Sequence, residues 1–153
     1  MSVWEKTQNK YVLLNLESNS KASILKELAA YAAKKIGDVD AQEIAQALIN
    51  REKLSSTAIG AGVAIPHVRL KSFKDSHVLI AKSAKGVGFD AIDEKPVHLI
   101  FCVLSPVKAT EKHLKLLSRV AKFLHDTSFK EQLIKASDEN EVLQALAKKD
   151  SSY

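Results

Sequence analysis

The residue in this chain best placed to do chemistry near neutral pH is a histidine that follows a short, tightly constrained run. In Ala58-Ile59-Gly60-Ala61-Gly62-Val63-Ala64-Ile65-Pro66-His67, two glycines permit a tight turn and a short apolar strand follows. Proline then fixes the bend just before the histidine. A histidine held rigidly at the end of a strand presents a single ring nitrogen to a reactant. Imidazole titrates near neutrality, so His67 can act as a neutral nucleophile or as a proton carrier.

The chain has five histidines, which invites a metal reading. His67, His77, His98, His113 and His125 show no HxH, HxxxH or HExxH spacing, and the lone Cys102 adds no CxxC. Zinc sites usually show local ligand pairs, so no metal is expected. His98 alternates with Val97 and Leu99 in an apolar run and reads as a packed, hydrogen-bonded residue. His77 opens a strand and His125 closes a helix beside Asp126; both read as surface residues. His113 falls in the first turn of a helix that Thr110 can cap, where backbone amides favour anions and neutral imidazole. It sits at the edge of that helix's apolar stripe, so it can face inward and donate to a bound anion. A helix-start histidine with no role fits the same features equally. Arg51, in the last turn of a helix, either compensates the dipole or reaches across a cleft to phosphate oxygens. Spacing alone does not choose.

The elements that must position these groups follow from periodicity. Tyr11 to Leu16 reads as a first strand. Ile24, Leu25, Leu28, Ala32 and Ile36 share one face of a helix that starts at Ser20 and ends at Gly37. Asp40 and Glu43 resemble a capping box for a second helix running to about Lys53. After the glycine-rich run, residues 77–82 form a strand, and Gly86-Val87-Gly88-Phe89 marks a turn or bent strand. Val97 to Leu104 is apolar except for His98, the pattern of a central strand covered on both faces, and Ser105-Pro106 is expected to stop it. Leu114, Leu117, Val120, Ala121 and Leu124 predict the apolar stripe of the helix opened by Thr110. Phe129, Leu133 and Ile134 predict a short helix, and Asp138 with Glu141 opens another carrying Val142, Leu143 and Leu146. Lys148 to Tyr153 reads as a frayed polar tail. Helices before and after a set of strands predict a three-layer α/β domain.

With 153 residues and no repeat or linker, the chain reads as a single domain, residues 1–153, with its core at about 10–148. Its 46% hydrophobic and 27% charged content is that of a soluble globular protein. No segment reaches the ~20 apolar residues needed to span a bilayer, so no membrane insertion is expected. The start, Met1-Ser2-Val3-Trp4-Glu5-Lys6, has no apolar core like that of a secretory signal. One cysteine excludes an intrachain disulfide and fits a reducing compartment, so the cytoplasm is expected. Of the net charge of +5, the stretch between Pro66 and Gly88 supplies +4 through Arg69, Lys71, Lys74, Lys82 and Lys85 against Asp75. Such a patch attracts phosphate or an acidic partner, although a solvated lysine loop has the same composition. Nucleic acid is not an expected partner, because no motif or aromatic interleaving accompanies the charge.

Residues 51–67, Arg-Glu-Lys-Leu-Ser-Ser-Thr-Ala-Ile-Gly-Ala-Gly-Val-Ala-Ile-Pro-His, resemble the signature of the mannitol/fructose-type (type 2) enzyme IIA domains of the bacterial phosphotransferase system. Asp90-Ala91-Ile92-Asp93-Glu94-Lys95-Pro96-Val97 and Glu111-Lys112-His113-Leu114-Lys115-Leu116-Leu117 extend the likeness, which runs from Leu13 to Ala147. The resemblance implies a mixed central sheet flanked by helices on both faces. It also implies that His67 accepts a phosphoryl group from the phosphocarrier HPr or its nitrogen-branch relative, with Arg51 and His113 in support. One departure is Val68, where the family usually has glycine or another small residue. A β-branched residue disfavours positive φ, so extended backbone is expected there.

No P-loop or kinase nucleotide site is visible, so ATP is not the expected donor, and no cofactor is implied. On the resemblance, Nε2 of neutral His67 attacks phosphorus in line while its other nitrogen donates to a backbone carbonyl. Arg51 and His113 then stabilise charge on the equatorial oxygens of a loose transition state. Three functions follow. A stand-alone nitrogen-type enzyme IIA would regulate target proteins through its phosphorylation state, and the absence of an attached transporter or IIB segment favours it. A sugar-specific IIA would pass phosphate to a IIB subunit for fructose- or mannitol-type uptake. A degenerate domain would bind partners without phosphorylation, and retention of Arg51, His67 and His113 together speaks against that.

Overall fold

The computed structural model describes Val3 and residues 11–152. Tyr153 and the opening segment apart from Val3 lie outside the described residues. In chain order the elements are β1 (Val12–Leu13), α1 (Lys21–Ile36), α2 (Ala41–Leu54), β2 (Ala58–Gly60), β3 (Val63–Ala64), β4 (His67–Leu70) and β5 (His77–Val87). There follow β6 (Val97–Pro106), α3 (Thr110–His125), α4 (Thr127–Lys135) and α5 (Glu139–Ser151).

The six strands form one mixed sheet in the order β1-β5-β6-β3-β2, with β4 continuing beside β6 where β3 leaves off. β5 runs antiparallel to β6, whereas β3 and β4 both run parallel to it. Every β6 residue except His98 and Pro106 is buried, as its apolar run requires when both faces are covered. Alternation along the strand divides the core. Ile100, Cys102 and Leu104 face the layer of α1 and α2, packing with Ile24, Leu28, Ile44 and Leu48. Leu99, Phe101 and Val103 face α3, α4 and α5, packing with Val120, Phe123, Leu133 and Leu146. The three-layer α/β architecture expected from the sequence is what the chain adopts.

Four of the expected caps are formed. Ser20 accepts from Ser23 N–H, Asp40 from Gln42 N–H and Asp138 from Glu141 N–H, and Gly37 leaves α1 at φ 78°. These side chains satisfy amides that a helix start otherwise leaves unpaired.

Several expectations need correction. β1 is two residues long rather than running to Leu16, although Leu16 N–H still donates to Lys82 O at 3.0 Å. β5 extends to Val87, with its register shifted between Lys82 and Val87 as Gly86 takes φ 81°. Ser105-Pro106 does not stop β6. Pairing with β5 ends at His77–Leu104, so Pro106 has only β4 beside it and its missing N–H breaks no central ladder. Ala109, not Thr110, caps α3, without a side-chain bond. The buried stripe of α3 is His113, Leu116, Val120, Phe123 and Leu124, while Leu114 is 60% exposed. Apolar residues lie on both flanks of this helix, and packing on Phe101 and Val103 selects the face that includes Phe123. The C-terminal residues are helical through Ser151, held by a Lys149–Asp126 ion pair at 2.6 Å and by Val3 N–H donating to Asp150 at 3.3 Å.

Candidate functional site

The glycine-rich run forms a hairpin that ends in the site. β2 and β3 are antiparallel, and Gly60, Ala61 and Gly62 turn between them at φ 88°, 55° and 82°. Left-handed backbone is costly for alanine, and Asp93 steadies it by accepting Ala61 N–H at 2.8 Å. Gly62 O accepts from both His98 and Leu99 N–H, which ties the turn to the start of β6. Ile65 and Pro66 then interrupt pairing between β3 and β4, although Pro66 O still accepts Val103 N–H at 2.9 Å. His67 is therefore the first residue of β4, not the end of the preceding strand, and it pairs with Val103. Val68 is extended, as expected from its branching; it pairs with Leu104 and its side chain joins the α1–α2 core.

His67 Nδ1 lies 2.8 Å from Ile65 O, so that nitrogen carries the proton and donates. Nε2 is left with its lone pair, toward which Arg51 Nε–H is directed at 3.4 Å. Burial lowers the His67 pKa, the Ile65 bond opposes this, and the Arg51 charge lowers it further. The ring is neutral at pH 7. Arg51 meets both readings of its position, since its Nη1 also donates to Ser55 O at the end of its own helix at 2.9 Å.

His113 enters from α3 on the other side. It is only 4% exposed, with Nδ1 2.8 Å from Ser105 Oγ, and its ring centroid lies 5.8 Å from that of His67. Burial pushes its pKa down to about 4, with the nearby His67 and Arg69 adding to the effect. The three residues singled out from the sequence, His67, His113 and Arg51, thus line one cleft of about 430 Å³, whose rim includes Leu114 and Leu117.

The cleft contains a second cation, one that composition alone places only in a general basic patch. Arg69 lines it, and its Nη1 donates to Val107 O at 3.1 Å and to Thr110 Oγ1. Its signal was the two-residue step from His67, which puts both side chains on one face of β4. Ser105 was missed altogether, because nothing local connects a strand-end serine with a helix eight residues on.

The remaining histidines are dispersed. His98 Nδ1 bonds Ser83 O at 2.9 Å, His77 sits edge-on to Tyr11 at 5.4 Å, and His125 is exposed. Among the described residues no group of three or more His, Cys, Asp or Glu is arranged to hold a metal ion. Cys102 is buried, which pushes its thiol up to about 12 and leaves it inert as a nucleophile. Chemically, the cleft offers one imidazole lone pair, a second neutral imidazole and two guanidinium groups. That set suits attack on an electrophile carrying anionic oxygens.

Residues 5–149 match the family described as "Phosphoenolpyruvate-dependent sugar phosphotransferase system, EIIA 2". The chain is 38% identical over 136 residues to a nitrogen regulatory protein of Bradyrhizobium diazoefficiens, covering 89% of this chain and 88% of that one. It is 37% identical over 112 residues to the fructose-specific EIIA component of the phosphotransferase system of Haloferax volcanii, covering 72% and 73%. The crystal structure of nitrogen regulatory protein IIA-Ntr from Neisseria meningitidis superposes with a TM-score of 0.84 at 36% identity, covering 90% of this chain and 94% of that one.

Proposed function

The chain belongs to the EIIA 2 family of the phosphoenolpyruvate-dependent sugar phosphotransferase system, and from that premise we propose that it is a phosphoryl carrier of the nitrogen-regulatory kind, phosphorylated on His67. One observation carries the reading. Nδ1 of His67 is committed to the Ile65 carbonyl, so the lone pair of Nε2 faces a cleft lined by Arg51, Arg69 and His113. The donor is a phosphohistidine on HPr or its nitrogen-branch relative.

In the transfer, the Nε2 lone pair forms a bond to phosphorus as the donor's P–N bond breaks and the donor imidazole departs with its electron pair. His67 keeps the Nδ1 proton against Ile65 O, so no base is required. The cleft's role is positioning and charge. The transition state is loose, with negative charge spread over three equatorial oxygens, which guanidinium groups and a neutral imidazole donor stabilise without reorganising. A phosphoramidate retains high transfer potential, so the group can move on or return.

The partners of this reading are the carrier as donor and regulatory target proteins as readers of the phosphorylated state. The cytoplasm is the proposed compartment, where such carriers and a free thiol such as Cys102 coexist. No helix among the described residues is long and apolar enough to cross a membrane. A second reading, supported by the likeness to a fructose-specific component, is a sugar-specific IIA that passes the phosphate to a IIB cysteine.

Phosphoryl transfer from phosphoenolpyruvate through enzyme I and an HPr-type carrier tests the proposal. One acid-labile phosphate per chain is expected, and none in His67→Ala. Arg51→Ala and His113→Ala should slow transfer by about ten- to a thousandfold with the fold intact. Label persisting in His67→Ala would remove the site. Rapid onward transfer to a IIB subunit would favour the sugar-specific reading.

A further inference from the structure

A neutral imidazole has two tautomers, and only one of them gives the cleft a hydrogen-bond donor at His113. Which one is present depends on the partner of the other nitrogen. That partner is Ser105, which is wholly buried on β6 with Oγ 2.8 Å from His113 Nδ1. Among the described residues this is the hydroxyl's one hydrogen bond.

If Nδ1–H donated to Oγ, the serine proton would be buried without an acceptor, which costs free energy. If Oγ–H donates to the Nδ1 lone pair, both atoms are satisfied and the ring proton sits on Nε2. The second arrangement is the favourable one. We propose that Ser105 is a positioning residue that holds His113 in its Nε2–H tautomer, so that the nitrogen left to the cleft donates to the oxygens of the transferring phosphoryl group. The catalytic half of this assignment rests on the reading of His67 as the phosphoryl acceptor.

The backbone and side-chain partners then select opposite tautomers for the two rings. A carbonyl, which can only accept, holds His67 as Nδ1–H and leaves an acceptor lone pair on Nε2. A hydroxyl that donates holds His113 as Nε2–H. With ring centroids 5.8 Å apart, one ring offers an electron pair and the other a proton donor to the same space. Phosphorus meets the first and its oxygens meet the second. The site also keeps His113 uncharged at pH 7, so its donor is an imidazole N–H rather than an imidazolium. Ser105 is fixed by its own pairing with Arg69 across β4 and β6, so its position is set by the sheet and not by the helix.

The test uses isosteres that differ only in the hydroxyl. Ser105→Thr and Ser105→Val add the same volume at a buried strand position, so any packing penalty is shared. Nitrogen-15 spectra of histidine-labelled, unphosphorylated protein are expected to show His113 as Nε2–H in wild type and in Ser105→Thr. Ser105→Val should shift it toward Nδ1–H or a mixture. In phosphoryl transfer from an HPr-type carrier, Ser105→Val should lose about ten- to a hundredfold in kcat relative to Ser105→Thr, with KM for the carrier unchanged. Ser105→Ala, which adds no volume, should behave as Ser105→Val does and serves if the larger variants fold poorly. A hydroxyl-free variant that keeps the Nε2–H spectrum, or that matches Ser105→Thr in kcat, overturns the assignment. If the wild type accepts no phosphate, the His67 reading fails, while the spectra still decide whether Ser105 sets the tautomer.

Discussion

Two imidazoles beside two guanidinium groups avoid mutual repulsion only by staying neutral, and the fold enforces this through burial. His113 has an ordinary pKa of 6.5 lowered to about 4. Between those values the unfolded chain binds a proton that the folded chain refuses, so stability falls as pH drops from about 6.5 toward 4 and is fully present above that window. The Tm of the wild type should therefore fall more steeply between pH 7 and pH 4.5 than that of His113→Gln, measured by thermal melts across the range. Equal slopes would mean that His113 protonates as readily folded as unfolded. Of the site, His67 was legible from its glycines and proline, while Arg51 and His113 were selected only by resemblance. Arg69 and Ser105 were not recognised. The step from His67 to Arg69 encodes only a shared face of β4; where Arg69 and Ser105 end up depends on contacts between β4, β6 and the start of α3, which no local pattern encodes.

At the scale of elements, the caps at Ser20, Asp40 and Asp138 were the most legible features, because each is a bond between neighbours in sequence; the Thr110 cap was the exception. Boundaries set by tertiary contact were less so. β6 outlasts Pro106's signal because only β4 lies beside its end, and α3 turns toward Phe123 because the sheet face fits there. The bend of β5 falls at Gly86, where the glycines predict a turn or bent strand, and tertiary packing makes that glycine necessary. A Cβ at Gly86 would lie 2.8 Å from His98 Cε1 and 2.9 Å from Pro96 Cβ, and φ is +81°. Gly86→Ala should cost about 2–4 kcal/mol, combining left-handed strain with overpacking. Urea titration should show a lowered midpoint with an unchanged m-value. A midpoint within error of wild type would show that the β5 bend relaxes freely.

Across the whole molecule, β6 is the element that both helical layers share, with Cys102 turned to one layer and Phe101 to the other. Opening either layer exposes the strand's faces unequally, so Cys102 reports on the α1–α2 side. Cys102 is 1% exposed and its thiol is pushed up to about 12, so a disulfide reagent should leave it unmodified in the native state. Labelling should proceed at the rate of unfolding, rising with urea in step with the loss of helical circular dichroism. Fast labelling without urea would show that the α1–α2 layer opens independently. The sequence by itself determined the alternation of β6, the caps at Ser20, Gly37, Asp40 and Asp138, the layered α/β class and the rigid presentation of His67. Each of these is written in periodicity or in contacts a few residues long. Only the tertiary structure decided which face of α3 is buried, that Arg69 joins the cleft, and that Ser105 meets His113. Those outcomes depend on which surfaces fit together at the sheet, where residues far apart in the chain compete for the same space. The constrained run that ends in His67 brings an imidazole lone pair to the cleft; the packing of β6 against α3 sets a second imidazole beside it.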